Sequence, residues 1–358
     1  ASYQWKTAEA DPWTDSATAK YAYDSTQTYI QVAPIDYDVW VCGVRVNSVN
    51  KGNVLKGTAN DGKVSYDPDT KMLILSGANL AGADGVDDGA GIYTTLDGLT
   101  IDVTGDNTVT GGAGSDTVGM AYGIEAPNLT ITGTGNLNVK AADMTAGGDT
   151  KSYGVLGNVK LKDSANAAFA GGKAAASAGL DGALVAEGSS HLTATGGAAT
   201  AASYGLNCGS GAAPMLKDDA SVTLTAGDAP TSNATNAALD LSGHNAYHWR
   251  ISSADKWTNS TTAPYAFAAS DAYVEVESGT VPVPTPPSSS TSTSTSTPVP
   301  TSTPNDVSGQ DTGSQAKSLA NTGDGSLTMP LALLVSALVA TIVLVAFQLR
   351  RVNRRGEK

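Results

Sequence analysis

Between residues 39 and 278 the apolar residues fall in short alternating runs, with glycine, asparagine or aspartate between them. Alternation with a period of two turns one face of a strand inward, and the intervening residues permit corner conformations. Val39-Trp40-Val41-Cys42-Gly43-Val44-Arg45-Val46 alternates strictly. Val64-Ser65-Tyr66 and Met72-Leu73-Ile74-Leu75 flank Asp67-Pro68-Asp69-Thr70, a good turn sequence. A short degenerate unit then recurs: Gly91-Ile92, Gly123-Ile124, Gly154-Val155 and Gly205-Leu206, with Asp181-Gly182-Ala183-Leu184 as a weaker copy. Alternating triplets follow, namely Leu99-Thr100-Ile101, Leu129-Thr130-Ile131, Val159-Lys160-Leu161, Leu192-Thr193-Ala194 and Val222-Thr223-Leu224. A third short element recurs as Asn107-Thr108-Val109, Asn136-Leu137-Asn138-Val139 and Ala167-Ala168-Phe169. Ile92 to Ile124 is 32 residues, Val155 lies another 31 on, and Leu206 another 51. Such periods are too long for hairpins and predict one solenoid coil each. Residues 174–178 are alanine-rich, short and flanked by glycines, which predicts a loop or at most one helical turn.

A second repeat has a fixed offset of 244 residues: Tyr3-Gln4-Trp5-Lys6 matches Tyr247-His248-Trp249-Arg250. Trp13, Tyr21, Tyr29 and Val32 match Trp257, Tyr265, Tyr273 and Val276 at the same offset. The expected organisation is the end of a preceding module over 1–33 and a complete module over 34–278, in a longer protein exported by an upstream signal. Aromatic faces stack on sugars, so Trp249 and Trp257 are candidate ligand contacts. Because the block falls where the coils stop, a cap over open strand edges is the preferred reading.

From 279 to 318 the chain is dominated by Pro, Ser, Thr and Val in its first part, cannot bury a core, and predicts a disordered stalk. Drawn out at about 3.1 Å per residue it would reach roughly 120 Å. Residues 319–358 comprise Leu319-Ala320-Asn321-Thr322-Gly323, an uncharged apolar run over 329–349, and a tail with Arg350, Arg351, Arg354 and Arg355. A run of that length spans roughly 30 Å as a helix, matching a bilayer core, and the arginines should stay cytoplasmic. This order of parts resembles the C-terminal sorting signal of Gram-positive surface proteins, with Ala320 where that family usually has proline. The resemblance implies that a sortase cysteine attacks the Thr322 carbonyl, breaks the Thr322–Gly323 bond and joins Thr322 to a peptidoglycan amino group. Some sortase classes prefer alanine at that second position. Residues 37–278 in turn resemble β-solenoid modules of Gram-positive surface proteins. The expected fold class is therefore all-β, a right-handed parallel β-helix by analogy with known solenoids, followed by the stalk and a single transmembrane helix.

The formal net charge of −13 becomes −17 without the tail, whose five Lys/Arg and one Glu leave 16 basic against 33 acidic residues. Nothing resembles a basic stripe, which argues against nucleic acid and suits a solvated extracellular surface. Cys42 and Cys208 fall several layers apart, roughly 20 Å at about 4.8 Å per layer, beyond disulfide reach. Two separate thiols, each a small buried residue, are expected.

Little of the chain suggests chemistry of its own. None of His191, His244 and His248 has metal-ligand spacing, and His191 at a strand start reads as an exposed polar residue. Asp84, Asp87 and Asp88 form the sole calcium candidate, but they sit in a glycine-rich loop with no Arg or Lys nearby in the repeat frame, so a solvated loop is preferred. Lys160 and Lys162 share one strand face and are candidates for an acidic glycan, against the commoner reading of solvated lysines. The sequence thus predicts a surface-anchored, adhesin-like protein without cofactors. Its expected partners are a sortase, peptidoglycan, the membrane before sorting, and a glycan or host surface protein. A carbohydrate-binding module is the first alternative and a polysaccharide lyase or hydrolase the second.

Overall fold

The computed structural model describes residues 2–279 apart from 23, 85–88, 115–118, 145–147, 210–212 and 245. The stalk from 280, the sorting pentapeptide 319–323, the apolar run 329–349 and the arginine tail lie outside the described residues. All regular structure among the described residues is β, wound into a solenoid of about five turns. Each turn supplies three strands, and like strands stack in parallel into three columns. The first column holds Ile92–Thr94, the opening halves of Met120–Gly133 and Lys151–Leu161, then Ala174–Asp181, Ala199–Asn207 and Thr231–Thr235. The second holds Met72–Ser76, Asp97–Thr104, the closing halves of the two long strands, Leu184–Ala186, Met215–Lys217 and Asp240–Gly243. The third holds Asn79–Ala81, Asp106–Thr110, Asn136–Lys140, Asn166–Ala170, His191–Thr195 and Ser221–Thr225.

Alternation within each strand becomes ladders of like residues across the turns. Ile92, Ile124, Val155, Leu180 and Leu206 pair in register along the first column and are fully buried. Val109, Val139, Phe169, Ala194 and Leu224 do the same along the third. Each large aliphatic so buried contributes about 1.5–3 kcal/mol. The glycine before the apolar residue is required by close approach. A Cβ on Gly154 would stand 2.6 Å from the carbonyl oxygen of Gly179 and 2.7 Å from the amide of Ala170. The recurrent Gly-Ile pair is therefore where the first and third columns touch backbone to backbone. Buried serines close the neighbouring corner: the amides of Gly172, Gly197 and Gly227 donate to Ser152, Ser177 and Ser203 Oγ at 2.7–2.8 Å.

Four local expectations are corrected. Residues 174–178 are strand, not loop, because their small side chains fit between two parallel neighbours, with Ser177 and Ala178 fully buried. Consequently the fourth copy of the glycine motif is Gly179-Leu180, in register with Gly154-Val155; Asp181 pairs instead with Leu156. The triplets at 192–194 and 222–224 belong to the third column, and Leu184-Val185-Ala186 and Met215-Leu216-Lys217 fill the second. The alternating run at 39–46 is a hairpin of Asp36–Val41 with Val44–Asn47, turning on Cys42 and Gly43 at φ 49° and 74°. Both residues sit in the left-handed region that a two-residue hairpin turn demands. Cys42 is thus a half-exposed turn residue, whereas Cys208 is buried, and both thiols are free.

Each column is closed at its start. Asp36–Val41 lies antiparallel on Ile92–Thr94, and Val64–Asp67 lies antiparallel on Met72–Ser76. Asn60 imitates a strand, its side chain donating to Asn79 O and accepting from Asn79 N, both at 2.8 Å. At the far end Tyr273–Ser278 lies antiparallel on Ser221–Thr225, with Val274 and Val276 fully buried. Tyr247–Arg250 and Thr258–Asn259 extend that sheet outward, and Leu239, Tyr247, Trp249 and Tyr265 pack on the core. The switch from parallel to antiparallel pairing at the start of the first two columns and at the end of the third covers edges that would otherwise template aggregation.

Candidate binding face

The third column turns its alternate residues outward as a regular lattice. One row is Thr108, Asn138, Ala168, Thr193 and Thr223; the next is Thr110, Lys140, Ala170, Thr195 and Thr225. Rows of adjacent strands stand about 4.8 Å apart, so hydroxyl, amide and methyl groups repeat at a fixed spacing. Ala168 and Ala170 are shorter than their neighbours, and the gap over them is a shallow trough of about 250 Å³ between Asn138 and Lys140 on one side and Thr193 and Thr195 on the other.

The border of this lattice is held by side-chain ladders. Asn136 Nδ2 donates to Asp106 Oδ1 at 2.6 Å, and Asn166 Nδ2 donates to Asn136 Oδ1 at 2.8 Å. His191 continues the row, its Nδ1 2.7 Å from Ser221 Oγ and its Nε2 3.1 Å from Thr193 Oγ1. It is half-buried rather than exposed, a correction that follows from its place inside a strand stack. Burial pushes its pKa below the ordinary histidine value, against the pull of Glu277 and Glu275, so it is neutral at pH 7. These bonds fix rotamers before any ligand arrives. Lys140 has no ion-pair partner among the described residues and is the cation of the trough. The surface offers hydrogen bonds, a flat methyl floor and one positive charge.

None of the ligand-site candidates Lys160, Lys162, Trp249 and Trp257 lines this trough. Lys160 lies on the second column and pairs with Glu187 at 2.9 Å, while Lys162 follows the same strand and carries the ladder on, its amide donating to Ile131 O at 3.0 Å. Trp249 donates its indole N–H to Ala263 O at 2.9 Å and meets Tyr265 edge-on at 5.4 Å between centroids. Trp257 has the Arg250 guanidinium over its ring at 4.4 Å and His248 edge-on at 4.4 Å. Asp84 accepts from the amide of Ala113 in the next turn at 2.8 Å, which makes it a loop staple. Asp87 and Asp88 lie outside the described residues, among which no three His, Cys, Asp or Glu gather to hold a metal. The signal that points to the trough is the outward half of the third repeated element, polar except at Ala168 and Ala170.

The first column carries the other titratable group. Tyr122 and Tyr153 stack at 6.3 Å, and with Tyr204 they pack against Ala178, which is wholly buried. Burial pushes Tyr122 up to about 12, helped by the Glu125 and Asp181 charges. Burial also raises Asp181, against hydrogen bonds from Tyr153 and Asn207. Packed on Ala178 and on one another, these side chains seal a face. No protein-family model matches this chain, and neither a curated protein nor a solved structure matches it.

Proposed function

We infer that this chain is an anchored surface protein whose solenoid is a binding and display module without catalysis of its own. The observation that carries the reading is the third-column face, where a preset lattice of Thr, Asn and Ala surrounds a trough and no proton-transfer pair lines it. A rigid flat face suits adhesion, since little side-chain entropy is lost on contact. The tail from Leu319 onward supports display at a cell wall through its likeness to sorting signals. In this reading Thr322 becomes the wall-linked terminus and 279–318 spaces the solenoid from the wall.

One observation favours a glycan as the ligand. Two alanine methyls flanked by hydroxyls and an amide match the C–H face and the hydroxyl rim of a sugar ring. The test is to probe the chain 1–279 against a panel of neutral and acidic glycans and host surface proteins. Binding to a glycan is expected, falling at least about tenfold in Ala168→Tyr and unchanged in Lys160→Ala, by the affinity arithmetic of about 1.4 kcal/mol per decade. Uniform silence, or binding indifferent to Ala168, contradicts the reading. Acidic polysaccharide incubated with the chain and Ca²⁺ should yield neither new reducing ends nor an unsaturated product. In wall digests the mature C-terminus should be Thr322, and peptides from 351–358 should be missing.

A further inference from the structure

The three-stranded unit near the start of the chain repeats the terminal cap in its hydrogen bonds as well as in its sequence. Trp5 pairs with Thr14 and Val32 as Trp249 pairs with Thr258 and Val276. The indole of Trp5 donates to Ala19 O at 2.8 Å and that of Trp249 to Ala263 O at 2.9 Å. Trp5 meets Tyr21 at 5.3 Å, and Trp249 meets Tyr265 at 5.4 Å. The backbone N–H of Tyr3 donates to Ser16 Oγ at 2.9 Å, and that of Tyr247 donates to Ser260 Oγ at 3.1 Å.

One edge differs. Tyr273–Ser278 has Tyr247–Arg250 on one side and the last coil strand, Ser221–Thr225, on the other. Gln31–Pro34, its twin, has only Tyr3–Lys6, and its outer edge carries no strand among the described residues. Val276 and Val274 are 0% exposed, while their counterparts Val32 and Ile30 are 56% and 46% exposed. Two large aliphatics on a bare strand edge are an unfilled contact.

We propose that this unit is an inter-module joint, and that Gln31–Pro34 seats, antiparallel, on the last third-column strand of a like solenoid earlier in the same polypeptide. The partner strand has inward Val and Leu and outward Thr, as in Ser221–Thr225; the register puts Val32 opposite a Val222 equivalent and Ile30 opposite a Leu224 equivalent. A second copy of the chain fits less well, because its own Ser221–Thr225 edge is already held by Tyr273–Ser278. Only Ile35 separates the joint from Asp36–Val41, which starts the next solenoid, and Ile35 is tied to Ser48 by bonds of 2.8 and 3.0 Å. Successive modules then share one continuous β-structure with a short fixed link. The proposal is independent of the ligand face.

The test places a copy of residues 34–244 directly ahead of Ala1, which reproduces the 244-residue spacing. In that extended chain Val32→Asp should lower the unfolding midpoint of the added solenoid by about 10 °C, whereas in 1–279 it should shift the midpoint by no more than about 1 °C. Equal shifts in both chains overturn the proposal. Should the extended variant fail to fold, amide exchange in the unmutated extended chain decides: residues 29–32 should exchange at least about tenfold more slowly than in 1–279. No gain in protection overturns the proposal, as does a dimer of 1–279 in sedimentation that Val32→Asp dissolves, since that identifies a second copy as the occupant.

Discussion

The two aromatic units share a fold and differ in charge and seating. In the first, Gln31 accepts from Tyr29 OH at 3.0 Å and Gln4 Nε2 donates to Pro34 O at 2.9 Å, both neutral contacts. In the second, Glu275 receives Arg250 Nε and Tyr273 OH, each at 2.5 Å, and His248 Nε2 stands 3.0 Å from Glu277. Among the positions that agree are the tryptophans, Tyr21 and Tyr265, and the serines that close the turn. Those define the unit. The cation over the second tryptophan is also kept, Lys6 over Trp13 and Arg250 over Trp257, whereas Gln31 and Glu275 differ in charge, and burial depends on whether a coil strand lies alongside.

Paired substitutions sharpen this contrast. The largest effect is expected for Val276→Asp, which buries a carboxylate without a partner and should cost about 4 kcal/mol, against no more than about 0.5 kcal/mol for Val32→Asp in the same chain; urea unfolding measures both. Trp249→Ala should cost about 2–3 kcal/mol, because the ring packs on the solenoid core, while Trp5→Ala should cost about 1 kcal/mol and act only on its own unit.

A pH profile separates the units next. Burial raises the Glu275 carboxyl, but hydrogen bonds from Arg250 and Tyr273 and the Arg250 charge outweigh it and hold the pKa below the usual glutamate value. A depressed carboxyl stabilises the folded state above its unfolded pKa, about 4.3, and that stabilisation is lost as pH falls through the folded value. The second unit should therefore loosen in acid, and Glu275→Gln should flatten the dependence of its melting on pH below about 5. The first unit carries Gln31 there and needs no such variant. The smallest effect concerns the tyrosines: Tyr265 OH is buried without a hydrogen-bond partner among the described residues, whereas Tyr21 OH bonds Gln27 at 3.0 Å. Tyr265→Phe should raise stability by up to about 1 kcal/mol, and Tyr21→Phe should lower it by about 0.5 kcal/mol.

Much of this architecture was legible in the chain. The 244-residue offset needs only matching residues, and inward alternation at Leu99, Leu129 and Val159 needs only a period of two. The fourth turn was not, because its strand at 174–181 is alanine, serine and glycine up to Leu180 and carries no β-branched signal. Its true glycine, Gly179, packs against Phe169 and Thr195 of the third column, whereas Gly182, at φ 151°, packs against Gly157 at the next corner. The hairpin at Cys42-Gly43 was hidden because alternation continues through a two-residue turn. The trough is hidden in the sequence for a related reason: Ala168 and Ala170 are ordinary in the chain, and become a depression only beside the longer Asn138, Lys140 and Thr193.

Hydrogen exchange on the present chain puts the central contrast to the test in one sample. Backbone amides of 274–278 should be protected like the solenoid core, because that strand is bonded on both sides. Those of 30–33 should exchange at least about a hundredfold faster, because one side is bare. Equal protection of the two segments would contradict the account.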